Sequence, residues 1–527
     1  MLVQEPSPSI ETAAARRPLP PGTEVDHRGH LIDGGCDVTD LARRYGTPLY
    51  VFNETVLRAN CRAYRAAFAA YAPGATVAYA AKACLTRAIA AVVAAEGLHI
   101  DVVSGGELHV ALSAGFPPER VVFHGNNKTP AEIAQALDAG IGRFVVDNFD
   151  EMERLAEAAA RRGLRQRVLL RVAPGIAAHT HEYIQTGSQD SKFGFDLESG
   201  QALRAAQRCA AAGSLRLVGL HAHIGSQLLD TRAVPPLVER MLDLARAVES
   251  ACGARLGELN LGGGAGIRYV DEEALAPRAV AEATTAAVSA GCARRGMHPP
   301  VLAVEPGRSV VGEAGIALYT VGSCKRVPGL VPYVAVDGGM GDNIRPALYG
   351  AAYTVVAAGR MHEPCTQQVH VVGRYCESGD FLARDAMLPA LEAGDLLAFY
   401  SAGAYQVPMA SNYNLVPRPC LLLVTDGRAD VMVERETYAD LCARDRLPGR
   451  LLAGPTAVAA GRGLARVERN ARGATDLRPG GGTEDLRRQP PASAVEGVGL
   501  SKQACCSGVE EPKPHPARGT GGASPRA

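Results

Sequence analysis

The chain has 527 residues and 47% hydrophobic content, enough to bury a large core in two domains with tails. Its 55 Lys and Arg balance 55 Asp and Glu, so no basic surplus points to nucleic acid or an anionic membrane, and a small molecule is the expected partner. No window has the apolar length of a membrane span, Glu5, Glu11 and prolines interrupt any signal-peptide core, and thirteen cysteines without a CxxC pair fit neither a disulfide framework nor a zinc site; a cytoplasmic location is expected.

Residues 1–22 are expected to be disordered, and 23–50, with strand signal near HRGHLIDGG, to add a strand to a later β domain. From 51 to 312 a unit repeats: short apolar strand, polar or glycine-rich turn, amphipathic helix. The strands read TVAYAAKA, HIDVVS, VVFHGN, FVVDN, VLLRVAP, LVGLHAHIGS, ELNLGGG and VLAVEPGR, and helical stretches such as PAEIAQALDAG and DEMERLAEAAARRG separate them. Continuous apolar runs suit strands buried on both faces, and eight such units predict an α/β fold, a (β/α)8 TIM barrel. From 313 to 447 the pattern turns β-rich (IALYTVGSCKRV, YVAVDGGM, QQVHVVGRYC, DLLAFYSAG, CLLLVTDG), which predicts a C-terminal β-sandwich or β-barrel domain. The tail 448–527, rich in Gly, Pro, Arg and Ala, is expected to be disordered.

Polar residues cluster at the C-terminal ends of the eight strands: Lys82, Ser104, His124, Asp147, Arg171, His223, Gly262 to Gly264, Glu305 and Arg308. That rim carries the active site in this fold, so one concave pocket is expected to collect them. Lys82, projecting into the mouth, would be a desolvated amine able to condense with a carbonyl, although alone it reads more readily as a solvated surface charge. Gly262, Gly263 and Gly264 expose backbone N–H groups at the start of the next helix, which suits a phosphate. Glu305 is an acid in an apolar setting that needs a cationic partner, and a protonated pyridine nitrogen would be one. A carbonyl-binding lysine, a phosphate loop and a carboxylate for a ring nitrogen together describe pyridoxal 5'-phosphate. His223 is expected to stack on the opposite face of its ring.

Further along, GRYCESGD sets Cys376 beside Glu377 and Asp380. Neighbouring carboxylates disfavour the thiolate, so this cysteine is expected to serve as a proton donor and not as a nucleophile.

Taken together, YAAKA, DVVSGGEL, HGNNKT, the TG followed by SKFGF, GLHAHIGSQ, LNLGGGAGI, EPGRS, VDGGMGDNIRPALYG, CESGD and GAY stand in the order found in diaminopimelate decarboxylases. The chain resembles that family from about residue 24 to 445, within the pyridoxal-phosphate decarboxylases that share an alanine-racemase-like barrel. The resemblance implies that Lys82 holds the cofactor and His223 stacks on it. Gly262 to Gly264, Ser226, Pro306, Gly307, Arg308 and Tyr405 would bind the cofactor, with Glu305 on its ring nitrogen. Arg308, Arg345, Tyr349, Glu377 and Tyr405 would bind substrate, Glu377 pairing with the distal ammonium. It further implies a homodimer with active sites shared between subunits, Cys376 and Glu377 acting in trans and Lys192 pairing with Asp380 of the second subunit. The implied reaction converts meso-2,6-diaminoheptanedioate to L-lysine and CO2. Alternatives are decarboxylation of ornithine, arginine, carboxynorspermidine or a carrier-bound amino acid, and a non-catalytic cofactor-binding relative; a racemase would want an arginine where Glu305 stands.

Overall fold

Eight parallel strands, Ala75–Ala80, His99–Val102, Val121–Phe123, Arg143–Val146, Gln166–Ala173, Leu215–His221, Glu258–Asn260 and Val301–Val304, close into a barrel. Each pairs with the next in sequence, and the eighth returns to the first through Leu302↔Ala75 and Ala303↔Thr76. This is a computed structural model, and it describes residues 18–176, 192–253 and 255–451. Most of the two segments expected to be disordered lies outside these residues, as do Thr186 and Gly187.

All eight strands read from the sequence are present, and all but the fifth, which contains Arg171, stop short of the polar residues assigned to them. Lys82 sits on a 3-10 turn, Ala81–Ala83, while His124, Asp147 and Glu305 each follow directly on the last strand residue. Strand periodicity explains the rim. Val122, Val145 and Leu169 form a small apolar cluster of their own, and the residue two positions further along each strand points the same way. Those residues are His124, Asp147 and Arg171. Register carries the polar layer on around the barrel, since His221 pairs with Arg171 and Asn260 with His221. An apolar plug below a polar layer is therefore written into the alternation. The opposite strand faces, including Phe123, Phe144, Val146 and Leu170, join the main core.

The helices that follow the first four barrel strands start on side-chain caps. Thr129 and Glu132 form a reciprocal capping box at Pro130–Ala139, and Asn148 accepts from the Glu151 N–H at Phe149–Arg161. Lys128 of the HGNNKT motif is a buried tie between these units: its amine donates to Gly125 O and Val145 O, both at 2.8 Å, and to Glu151 Oε1 at 2.7 Å. Among the described residues no helix is long and apolar enough to cross a membrane.

The second domain is a mixed nine-stranded sheet in the order Phe381–Leu388, Gln367–Val372, Tyr333–Val336, Gly315–Lys325, Leu49–Asn53, Cys420–Thr425, Arg428–Val433. Two further strands, Leu396–Phe399 and Val355–Ala357, branch from Gly315–Lys325. The N-terminal contribution differs from the expectation. The HRGHLIDGG region forms a separate three-stranded sheet, Thr23–Val25, Leu31–Asp33 and Cys36–Asp37. The strand that enters the large sheet is LYVFN, Leu49–Asn53, buried throughout and paired antiparallel to Gly315–Lys325 and parallel to Cys420–Thr425. A boundary at 50/51 would cut through it.

Asn53 links these parts. It caps the helix Glu54–Phe68 by accepting from the Val56 N–H at 3.1 Å, and it donates to Asp33 Oδ1 at 2.7 Å. Asp33 is buried, and desolvation pushes its carboxyl up to about 7.

Two stability predictions follow from these buried groups. Lys128→Met leaves Glu151 buried without its cation and is expected to cost about 3–5 kcal/mol in denaturant unfolding; a loss under about 1 kcal/mol would show that Glu151 is neutral or rehydrated. For Asp33, the unfolded chain releases a proton from about pH 4 while the folded chain keeps it to about 7, so stability falls as pH rises through that window, by up to about 1.4 kcal/mol per pH unit. Asp33→Asn should flatten this loss. Unfolding midpoints of wild type and variant that run parallel from about pH 5 to about pH 8 would refute it.

Candidate active site

A cavity of about 750 Å³ opens at the polar rim. It is lined by Lys82, His223, Ser226, Gly263, Gly264, Glu305, Gly307, Arg308, Arg345, Tyr349 and Tyr405 of the sequence-predicted set, and also by His124 and Arg171. Gly262 and Pro306 stand outside its lining. Ser104 is absent too, because its hydroxyl caps the helix Gly105–Ser113 by accepting from the Glu107 N–H at 3.1 Å.

Glu305 is the most heavily engaged residue in this site. Its Oε1 accepts from Asn260 Nδ2 at 2.6 Å and lies 2.9 Å from His124 Nε2, and its Oε2 lies 3.1 Å from His221 Nε2. Burial alone would raise its pKa, but the two imidazoles outweigh burial and hold the carboxyl well below its usual range. His221, pushed down to about 4 by desolvation, is neutral at neutral pH and serves as an N–H donor instead of a cation. The sequence expectation of a cationic partner from a ligand thus meets a carboxylate already kept ionised by the protein. Asp101, in the same layer, has its pKa raised by burial.

His223 has its Nδ1 3.3 Å from the Gly263 N–H, which it accepts. Desolvation first, then the charges of Lys82 and Arg171, hold its pKa well below the ordinary imidazole value, although part of the ring faces the cavity. It is a neutral ring. Lys82 was expected to be desolvated, but its side chain stands exposed in the open cavity. Tyr405 is tied to the lysine turn, its N–H donating to Ala83 O at 2.7 Å. The tyrosine holds φ 61°, a left-handed conformation that costs a bulky residue energy and marks an over-determined site.

The glycine run departs from expectation. No helix follows it; the next begins at Pro277, after a loop. The Gly262 N–H goes to Asn260 Oδ1 and the Gly263 N–H to His223, so two of the three donors serve the protein. The glycines are needed for close approach: a Cβ on Gly263 would lie 2.0 Å from Glu305 O, and one on Gly264, at φ 116°, 2.4 Å from Gly225 O.

Arg308 and Arg345, both in the cavity lining, are buried. Arg308 donates to Tyr269 Oη and to Ser226 Oγ at 3.1 Å; Arg345 donates to Tyr269 Oη at 3.1 Å and to Tyr353 Oη. Among the described residues neither has a carboxylate within ion-pair distance. Arg345 arrives on the short helix Arg345–Tyr349, whose preceding turn is fixed by buried Asp342 accepting from the Gly339 N–H at 2.9 Å and from the phenols of Tyr50 and Tyr319.

Cys376 and Glu377 do not line this cavity. Both are exposed on the loop after Gln367–Val372; the Cys376 N–H donates to Asn414 Oδ1 at 2.9 Å, and Tyr375 stacks on Tyr413. Asp380 is buried, and its carboxylate accepts the Met340 N–H at 2.7 Å and the Tyr375 N–H at 2.9 Å, a tie within the chain.

Sequence reasoning missed Asp101, His221, Asn260 and Tyr269. His221 and His223 are two apart on one strand and its continuation, so the period-two rule already placed both on the cavity face. Asn260, the last residue of its strand, carried the same signal, whereas Tyr269 lies in a loop with no period to reveal it.

The site fits a pyridoxal phosphate. An ionised carboxylate, a neutral ring, an exposed amine and glycines admitting close approach surround one cavity, and His221 Nδ1, Asp101 Oδ1 and Arg308 Nε are buried there without a hydrogen bond from the protein.

Comparison with known proteins agrees. Residues 55–312 match the family described as "Pyridoxal-dependent decarboxylase, pyridoxal binding domain". The chain is 47% identical to the diaminopimelate decarboxylase of Bacillus subtilis, over 80% of this chain and 96% of that protein, and 45% identical to that of Halalkalibacterium halodurans, over 80% and 97%. The crystal structure of diaminopimelate decarboxylase from M. jannaschii in complex with L-lysine superposes with a TM-score of 0.77 at 36% identity, covering 82% of this chain and 99% of that one. The Helicobacter pylori enzyme complexed with L-lysine gives 0.71 at 32%, covering 77% and 98%. With its barrel, its rim chemistry and these relatives in agreement, the chain belongs to the diaminopimelate decarboxylase family.

Proposed function

We propose that this protein is a pyridoxal-phosphate-dependent carboxy-lyase that converts meso-2,6-diaminoheptanedioate to L-lysine and CO2, the last step of lysine biosynthesis, in the cytoplasm. The observation that carries the substrate is the pair of buried guanidiniums, Arg308 and Arg345, opening into the same cavity as Lys82 and Glu305 without a carboxylate of their own. Buried charge needs a partner, and arginine forks suit carboxylates. A diamine monocarboxylate, once oriented for loss of its only carboxylate, would leave them unmatched. The relatives named diaminopimelate decarboxylase, two of them in complexes with L-lysine, support the same reading.

When bound, the cofactor supplies an electron sink for the charge left by a departing carboxylate. Lys82 would hold it covalently. Glu305, kept ionised by its imidazole neighbours, would face the ring nitrogen and keep it protonated, and His223 would lie against the ring as a neutral plane. Gly262 to Gly264 and Tyr405 would hold its phosphate, and Ser226, Pro306, Gly307 and Arg308 would complete the cofactor's surroundings. Arg308, Arg345, Tyr349 and Tyr405 would bind the substrate and Glu377 its distal ammonium.

Cys376 would deliver the proton to Cα. Its exposure outside the cavity of its own chain supports delivery into a second copy, making a homodimer with shared sites the working unit. The buried Asp380 tie gives that exposed loop a fixed base.

CO2 release measured side by side from meso-2,6-diaminoheptanedioate, lysine, ornithine and arginine tests the reaction; turnover is expected with the first alone, and preference for any other would overturn the assignment. Lys82→Ala should abolish the visible absorbance of the bound cofactor, and a variant retaining that band would refute covalent attachment. Mixed dimers of Lys82→Ala and Cys376→Ala subunits should regain activity through one intact hybrid site, whereas dimers that stay inactive would argue for action within one chain.

A further inference from the structure

We infer that Tyr269 is a positioning residue that holds the Arg308 and Arg345 guanidiniums at one spacing and thereby sets the preference for ligands bearing a carboxylate that meets them; the inference rests on the function proposed above. The two arginines come from different domains, Arg308 from the short helix Arg308–Val311 after the eighth barrel strand and Arg345 from the β domain. Like charges brought together in a buried site repel. The Tyr269 phenol stands between them and accepts from both, Nη1 of each guanidinium reaching the same oxygen. The tyrosine ring also lies beneath both cations, with guanidinium carbons 5.6 and 5.1 Å from its centre.

The clamp is itself held from two sides. Within its own loop, the Tyr269 N–H donates to the Glu272 carboxylate at 3.0 Å, which also accepts from Val270 at 2.8 Å. From the β domain, Thr354 donates through both its N–H and its hydroxyl to Tyr269 O, each at 2.9 Å. Tyr353, the neighbour of Thr354, packs edge-on to the Tyr269 ring at 5.3 Å and gives Arg345 its second phenol. Tyr269 is buried, though it reaches the cavity wall. The β domain thus holds the Tyr269 backbone through Thr354, while one arginine from each domain meets its phenolic oxygen, whose position fixes where two cationic forks can meet a carboxylate.

Tyr269→Phe keeps the ring and removes the shared oxygen. In the holoenzyme, KM for meso-2,6-diaminoheptanedioate and the Kd of L-lysine by calorimetry should both rise, by about tenfold to a hundredfold, the scale of a hydrogen bond to a charged group. kcat should change by only a few-fold, the cofactor absorbance should persist, and the Kd of 1,5-diaminopentane, the same skeleton without a carboxylate, should not move. Equal weakening of both ligands would mean general damage to the pocket and would overturn the inference, as would no change in either. Should the variant fail to fold, Tyr353→Phe carries the same comparison through the second phenol on Arg345: selective weakening of L-lysine supports the inference, and equal weakening or no change overturns it. The binding comparison needs no turnover. Wild-type protein that releases no CO2 from the substrate therefore counts against the proposed function alone, and an unselective Tyr269→Phe variant against this inference alone.

Discussion

A carboxylate held ionised in the interior of a barrel is the constraint around which this molecule is arranged. Glu305 is removed from water, and such a group would ordinarily take up a proton. It stays charged because Asn260, His221 and His124, from three different strand ends, direct polar atoms at its two oxygens. That requires the strands to be in a register that delivers those ends at one height, which the pairings Asn260↔His221 and Asn260↔Ala303 provide. Gly263 must then be a glycine, since any side chain there would strike the Glu305 carbonyl. The register, the polar layer and the glycine run thus answer to one negative charge.

The rest of the cavity is assembled across two domains. The barrel supplies the amine, the carboxylate, Arg171 and Arg308; the β domain supplies Arg345 and Tyr405. The joints are buried hydrogen bonds with little slack: Tyr405 to Ala83, Thr354 to Tyr269, and the Asp342 turn beneath Arg345. Asp380 extends this stitching to the loop of Cys376, since it grips Met340 on one loop and Tyr375 on the other.

Most of the barrel was legible because its strands are continuous apolar runs ended by punctuation, and the residues that signal chemistry fall where those runs end. Lys82, His223, Glu305 and Arg308 were found in this way, and all four line the cavity. The reading failed where a role depends on partners distant in sequence. LYVFN looks like any short apolar run, and only its pairing with residues some 270 and 370 positions away assigns it to the second sheet. The N–H groups of Gly262 and Gly263 seemed available for an anion because composition does not disclose that Asn260 and His223 already accept from them.

The path of the strand Leu49–Asn53 also bears on the order of assembly. It lies between Gly315–Lys325 and Cys420–Thr425, so the centre of the second sheet has one strand made before the barrel and two made after it. During synthesis that early strand, buried in the finished protein, has no partner until more than 260 further residues have been added. The barrel sequence is complete by then and can close first, leaving a waiting apolar segment at its N-terminal edge. Sheet closure is a long-range event with a large loop to close. The polypeptide thus exposes LYVFN for longest, and a chaperone or a misfolding contact has its widest window there.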